Sequence, residues 1–466
     1  MNGTMRHAFA ASAAIFLTAV ALWAQAQPAV ISDADIRKIL AERIDVQHQG
    51  IGIVVGVLEP AGRRVVAYGS LAPGDSRTLD GDTVFEIGSI TKVFTSLLLA
   101  DAVERKDVSL EDHISKFLPP TVKTPERGRP ITLQDLSQHT SGLPRLPGNM
   151  APKDPSNPYG DYTVDQLYAF LSAYQLPRDV GAQYEYSNLG GGLLGHVLAR
   201  RAGMDYEALV KSRILGPLGM KSTSVTLTPE MKAHMAIGHN PAMQPVPNWD
   251  LPVLTGAGAL RSSTNDMLTF LAAVMGYTQT PLGPAMARMV TTRYVTQNRG
   301  LQIGLAWHIS TSRDGREFVW HNGGTAGYRT FIGFEPKART GIVVLSNAGT
   351  AAGPDDIARH LLDASSPLLA PAKIRTEITV DPQVFDRYVG RYQFAPNVEL
   401  AITRDSTRFF VQLTGQPAFQ IFPESEKEYF LKVVDAQLTF ETDAQGQTTS
   451  VILHQNGLNQ QARRLP

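Results

Sequence analysis

Val84-Phe85-Glu86-Ile87-Gly88-Ser89-Ile90-Thr91-Lys92-Val93-Phe94-Thr95 is the stretch on which the fold turns. An apolar, strand-like run gives way at Gly88 to an apolar helical run, so Ser89 stands at a helix start, where the backbone dipole is positive. Lys92, three residues on, projects from the same helix face. Such a pair can act as nucleophile and proton acceptor once the ammonium has lost its proton. The same quartet also describes a helix cap followed by a solvated lysine, so it decides nothing alone. Val93, Leu97 and Ala100 share one face and the helix is apolar around most of its girth through Leu99, which predicts burial at the centre of a fold.

Two further motifs shift the balance. Tyr186-Ser187-Asn188 follows a loop containing Pro177 and Gly181 and precedes Leu189-Gly190-Gly191-Gly192-Leu193, a glycine-rich helix start that permits close approach to a neighbour. Read singly, Tyr186 is a surface aromatic and Asn188 a helix cap. His321-Asn322-Gly323-Gly324-Thr325 lies between two expected strands, directly after Trp320. Glycines there let a substrate backbone lie against a sheet edge; read singly, the segment is a hairpin turn.

The remaining chain bounds the function. Lys+Arg and Asp+Glu each total 43 in 466 residues, and the isoelectric point is about 7.2. Without a basic excess or a basic run interleaved with aromatics, nucleic acid is not an expected partner. Arg6 and His7, an apolar run through Trp23 and the small-x-small ending Ala24-Gln25-Ala26 read as a secretory signal over residues 1–26. No later stretch is apolar enough to span a membrane; with the secretory signal this predicts an exported mature chain, and the bacterial family resemblance described below implies that its location is the periplasm. The chain has no cysteine, so neither disulfides nor a lipid-modified cysteine are available and core packing alone must hold it together.

Helical spacing over 33–46 leads into strands at 51–58 and 64–68, and a helical middle follows, with helices expected at 132–136, 163–174, 189–202, 206–214 and 265–275. The segment at Arg261-Ser262-Ser263 reads as a loop. Short apolar strands are expected at 302–309, 317–320, 328–334 and 341–346, then a closing helix over 354–362. Both ends of this region thus supply one sheet. The expectation is an α/β sandwich with an antiparallel sheet and an inserted all-helical subdomain. Residues 364–373 read as a linker, and 374–466 as six or more short strands forming a small β-barrel-like domain capped by 385–392. The expected division is 1–26 signal, 27–363 main domain, 364–373 linker, 374–466 β domain.

With its three motifs in this order, the chain resembles the penicillin-recognising serine hydrolases, and within them the class C β-lactamase and D-alanyl-D-alanine peptidase branch. The surroundings of Ser89, the run His139-Thr140-Ser141-Gly142-Leu143-Pro144, Gly333-Phe334 and Leu345-Ser346-Asn347 carry the same resemblance, which covers about 33–363. The tail resembles the lipocalin-like domain attached to some of these peptidases. The resemblance implies Ser89 as nucleophile, Lys92 and Tyr186 as the groups moving its proton, and the Ser89 and Gly324 N–H groups as an oxyanion hole. Asn188, His321, Asn322 and Gly323 are then substrate-binding. Whether Lys92 or an ionised Tyr186 is the base stays open, because strongly coupled groups titrate as a unit.

The third element departs from the Lys-Thr-Gly form of typical class C β-lactamases. A neutral His321 there predicts weaker selection for a substrate carboxylate. The implied activity is hydrolysis of a small amide through an acyl-enzyme, first a D-residue peptide and with β-lactams reacting. A class C-like β-lactamase, an esterase of the same fold, and a non-catalytic binder of cell-wall fragments are the alternatives. No cofactor is called for, and the eleven histidines contain no metal-binding spacing. His139 and His196 read as structural. The β domain either shapes the cleft or mediates self-association.

Overall fold

The computed structural model describes residues 31–351, 353–369, 375–395, 398–414, 418–432, 436–455 and 458–465. The expected signal, residues 1–26, and residues 370–373 of the expected linker lie outside the described residues. The central sheet has eight strands: β1 (Gly52–Glu59), β2 (Gly62–Gly69), β3 (Tyr294–Val295), β4 (Leu301–Ile303), β5 (His308–Thr311), β6 (Glu317–Gly324), β7 (Arg329–Glu335) and β8 (Thr340–Ser346). Their order is β2-β1-β8-β7-β6-β5-β4-β3, antiparallel throughout.

Alternation along β1 explains the sandwich. Ile53, Val55 and Val57 point to one face, where they meet Ile36 and Leu40 of the helix Asp33–Ala41 and Ile357 and Leu361 of the helix Asp355–Leu362. Val54 and Leu58 point to the other face and join the larger core with Leu268 and Leu271 of the helix Thr264–Val274. A helix over Thr91–Glu104 is wrapped on all sides: Thr91 through Ala100 are buried, and Phe94 stacks on Phe270 with centroids 4.4 Å apart. The inserted lobe contains the helices Leu133–Ser137, Val164–Ala173 and Asn188–Ala202; capping boxes at Thr132/Asp135 and Thr163/Gln166 start the first two. Two buried ion pairs, Glu86–Arg261 at 3.1 Å and Arg43–Asp356, tie distant segments together.

Three local expectations change. The single strand expected at 302–309 is two strands, β4 and β5, because Gly304–Trp307 leaves the sheet and Ala306 takes a φ of +65°. The His321–Gly324 segment is the end of β6, not a turn; the reversal follows it, before Arg329. Arg261–Ser263, expected as loop, pairs as a strand with Val84–Glu86 and so holds the approach to Ser89.

The C-terminal region is a distinct closed barrel of eight antiparallel strands, running in sequence from Gly390–Ala395 to Leu458–Arg464, with the first paired to the last. Its core is its own. Phe385 stacks on Phe409 (4.1 Å) and Tyr388 on Phe440 (4.2 Å), with Tyr392 and Tyr429 beside them. The expected cap therefore divides: Phe385 and Tyr388 enter the barrel core, while Gly390 onward is the first strand.

Candidate active site

Gly88–Ile90 is a single 3₁₀ turn that feeds directly into the helix Thr91–Glu104, so Ser89 sits on the turn just ahead of the helix and only partly exposed. Lys92 is buried beneath it. Its Nζ lies 3.1 Å from Ser89 Oγ, 2.8 Å from Asn188 Oδ1 and 2.7 Å from the Ala257 carbonyl oxygen. Burial, with a smaller contribution from the Arg145 charge, holds the Lys92 amine well below its ordinary value, and no carboxylate pairs with it among the described residues. A neutral amine has two N–H donors and one lone pair. The Ala257 and Asn188 oxygens can only accept, so in that neutral form they would take both donors and leave the lone pair for the Ser89 hydroxyl.

Tyr186 comes from the loop before the helix Asn188–Ala202. Its ring lies 4.9 Å from Lys92 Nζ and 5.3 Å from the Arg145 guanidinium, and 4.5 Å from the His139 ring. Burial pushes the phenol up, opposed by its hydrogen bond with Ser89, so it stays protonated through neutral pH. Ser187, not Asn188, caps the helix: its Oγ accepts from the Gly190 N–H at 2.8 Å and donates to the Pro144 carbonyl at 2.6 Å. That frees the Asn188 amide for Lys92.

Close approach fixes the lysine. A Cβ on Gly191 would stand 2.9 Å from Lys92 Cε and 3.1 Å from Cδ and Cγ, so only glycine leaves room for the stem. The sheet edge is equally tight. A Cβ on Gly88 would lie 2.7 Å from Gly324 N, and one on Gly323 would lie 2.0 Å from the Ile87 carbonyl oxygen. The Gly324 N–H is thereby brought beside the Ser89 turn. β5 pairs with β6 only as far as Trp320, leaving His321–Gly324 unpaired on that side.

These groups surround a cleft of about 610 Å³. Ser89, Tyr186, Asn188, Asn322, Gly323 and Gly324 line it; Lys92 lies below its floor. His321 differs from expectation. Successive strand residues face opposite sides, so Trp320, Asn322 and Gly324 face the cleft while the His321 imidazole turns inward and is fully buried. Its Nδ1–H donates to the Asn322 carbonyl at 2.6 Å, and burial keeps it neutral. Asn322 lines the cleft, and its amide donates to Asp355 at 2.6 Å. His139 has the structural part expected of it, its Nδ1 accepting from the Ser187 N–H at 3.1 Å. His196 lies away from the cleft, bonded to the Tyr168 hydroxyl at 2.8 Å.

Sequence reasoning missed the Ala257 carbonyl, which belongs to the short helix Thr255–Gly258 and has no side-chain signature. It also missed Arg145 and Arg329, both on the cleft wall. Arg145 directly follows the quoted Leu143-Pro144 run, which is a usable signal; Arg329 has none.

An alcohol aligned with a buried amine, a phenol and a carboxamide, over an α/β sandwich, defines a serine hydrolase of the β-lactamase and D-peptidase superfamily. The chain belongs to the Beta-lactamase family, whose model matches residues 33–365; a second model, a domain of unknown function (DUF3471), matches residues 375–464. It is 29% identical over 326 residues to the D-alanyl-D-alanine-carboxypeptidase/endopeptidase AmpH of Escherichia coli strain K12, covering 67% of this chain and 83% of that protein. It is 27% identical over 424 residues to penicillin-binding protein 4* of Bacillus subtilis, covering 85% and 91%. Among solved structures, a class C β-lactamase from Rhodobacter sphaeroides superposes with a TM-score of 0.62 at 26% identity, covering 71% of this chain and 98% of that one.

Proposed function

We propose that this chain opens β-lactams and cleaves small D-configured amides through an acyl-enzyme on Ser89. The observation that carries the reading is the set of contacts at Lys92: its buried Nζ lies 3.1 Å from Ser89 Oγ and is also held by two oxygens that can only accept, so that loss of one proton leaves a lone pair for the nucleophile. Ser89 Oγ attacks the carbonyl carbon as its proton passes to Lys92. The oxyanion that forms is held by the Ser89 and Gly324 N–H groups, where each such donor is worth roughly 3–4 kcal/mol. The C–N bond then breaks, the leaving nitrogen takes a proton through Tyr186, and water hydrolyses the ester to restore Ser89. Because burial raises the phenol and lowers the amine, Lys92 is assigned as the base and Tyr186 as the proton carrier. Asn188 orients Lys92 and offers its amide to the substrate, and Asn322 and Gly323 line the unpaired edge along which the substrate lies.

The sequence put a D-residue peptide first. The superposed class C β-lactamase and the family itself give β-lactams the stronger support, while the carboxypeptidase/endopeptidase and the penicillin-binding protein support the peptide. A panel of nitrocefin, D-alanyl-D-alanine peptides and nitrophenyl esters, followed by intact mass, tests both. A mass increase on Ser89 that Ser89→Ala abolishes is expected; absence of adduct and turnover with every probe would favour a non-catalytic binder.

Export of the mature chain to the periplasm, with the main domain starting at residue 27 and the β domain at 374, belongs to the same proposal. It is supported by the character of residues 1–26, and no described helix is long and apolar enough to cross a membrane. The barrel's single antiparallel circuit supports its lipocalin-like reading. Fractionation and N-terminal sequencing test the location, and the mass in solution with and without 374–466 tests self-association.

A further inference from the structure

The two walls of the cleft differ in charge. On the strand side, Arg329 interacts with the buried Asp355 carboxylate, so its charge is answered within the fold. The opposite wall belongs to the helical lobe and carries Arg145. The Arg145 carbonyl accepts from the Asn188 and Leu189 N–H groups at 3.0 and 3.1 Å, which fixes its backbone at the start of the helix Asn188–Ala202. Its side chain is exposed and lines the cleft, with the guanidinium 5.3 Å from the Tyr186 ring. A planar cation resting on an aromatic face is held without using up its N–H donors. The Arg145 side chain has no hydrogen bond or ion pair among the described residues. Tyr186 is itself hydrogen-bonded to Ser89, so this cation stands one side chain away from the nucleophile.

Nothing on the wall answers the Arg145 charge. No carboxylate lines the cleft. Tyr159, Tyr184 and Tyr186 are phenols that burial pushes up, Tyr184 to about 12, so all three are uncharged at neutral pH. His308, whose Nε2 lies 3.1 Å from the Tyr184 hydroxyl, is held down to about 4 by burial and is neutral as well. Lys92, sealed beneath the floor, offers no counter-charge. An anion that enters the cleft therefore meets a cation whose donors are all free.

We infer that Arg145 is the specificity-determining residue of an anion subsite on the helical wall, so that the preferred substrates are amides bearing an acidic side group, separate from any carboxylate at their C-terminal end. This deepens the hydrolase reading and rests on it.

Matched tripeptides test it on the full chain, in two arms that separate the places the acidic group can occupy. N-acetyl-Glu-D-Ala-D-Ala against its Gln counterpart puts the group on the acyl portion. N-acetyl-Ala-D-Ala-D-Glu against its D-Gln counterpart puts it on the leaving portion. Within each pair the shape and the C-terminal carboxylate are common, so only the side-chain charge differs. The wild type is expected to favour the acidic member of one pair in kcat/KM by roughly two- to fivefold at low salt, the worth of one exposed ion pair. That preference should fade at about 1 M salt, which a purely structural role would not produce. Arg145→Gln should abolish it, Arg145→Glu should reverse it and Arg145→Lys should keep part of it. The effect of Arg145 on Lys92 is shared by both members and cancels in the ratio. Where only β-lactams react, carbenicillin against benzylpenicillin, which differ by one side-chain carboxylate, takes the place of the peptides, and the same substitutions are expected to change the ratio in the same way. Equal kcat/KM within every pair for the wild type, or a preference that persists in Arg145→Gln, overturns the inference and leaves the hydrolase reading standing. No turnover and no adduct on Ser89 with any probe, nitrocefin included, brings down the hydrolase reading, and this inference with it.

Discussion

Replacing Gly191 by alanine should disable the nucleophile without unfolding the protein. The added methyl would stand 2.9–3.1 Å from three carbons of the Lys92 stem, where carbon contacts normally settle at about 3.5–4 Å. The lysine must therefore withdraw by roughly 0.5–1 Å. Its Nζ is held by three contacts of 2.7–3.1 Å, and a shift of that size misaligns the lone pair with Ser89. Misplacement by about 1 Å costs about a hundredfold, so kcat/KM should fall roughly ten- to a hundredfold. Stability should change little, because alanine improves an interior helix position by about 1 kcal/mol while overpacking a flexible stem costs about 1–3 kcal/mol. Stopped-flow acylation with nitrocefin, beside a thermal melt of the same sample, reads both quantities. Acylation within twofold of the wild type in a folded variant would refute the claim that Lys92 acts from this position.

Other consequences are equally direct. Tyr186→Phe should slow acylation by roughly 10²–10⁴-fold with the melt little changed, as expected for a lost proton carrier; wild-type pre-steady-state rates would remove Tyr186 from the mechanism. Arg145 helps to depress the Lys92 amine, so Arg145→Gln raises that amine's pKa and the acid limb of the acylation profile should move to higher pH. A limb that stays put or moves down, read from rates across the pH range, contradicts that sign. Gly323→Ala drives a Cβ to within 2.0 Å of the Ile87 carbonyl and 2.4 Å of Thr330 Oγ1, so it should destabilise the domain by about 3 kcal/mol or more, whereas Gly324→Ala, whose nearest neighbour is a side chain at 3.2 Å, should fold. Calorimetry on the pair decides it. The barrel, with its own aromatic core, should fold when residues 375–466 are expressed alone; absence of a cooperative melt would show that it depends on the larger domain.

The parts of this site that could be read in the sequence are those where a side chain's identity is the chemistry. Ser89, Lys92, Tyr186 and Asn188 meet through hydrogen bonds that only those residue types make, and their order along the chain pointed to one family. The third motif was harder. Its composition was legible but its secondary structure was not, because glycines suggest a turn wherever the strand that continues through them is stabilised by partners far away, such as Thr330, whose hydroxyl donates to the Ile87 carbonyl at 3.0 Å. Placing it in a strand would also have oriented His321 correctly, since period-two alternation sends it to the face opposite Asn322. The Ala257 carbonyl and the break at Gly304–Trp307 are backbone features set by tertiary packing, and neither leaves a pattern in residue types. The overall layering was legible because β1, both faces covered, is apolar at nearly every position.

The pairing of β1 with β8 joins Ile53 to Ser346, two ends of the domain's own span. A chain emerging from the ribosome cannot finish this sheet until the last of these strands is free. Every intermediate length leaves one edge of β1 without its permanent neighbour, so assembly is deferred to a late, long-range closure that is intrinsically slow. Truncations that stop short of residue 346 should accordingly behave as aggregation-prone fragments rather than as smaller enzymes.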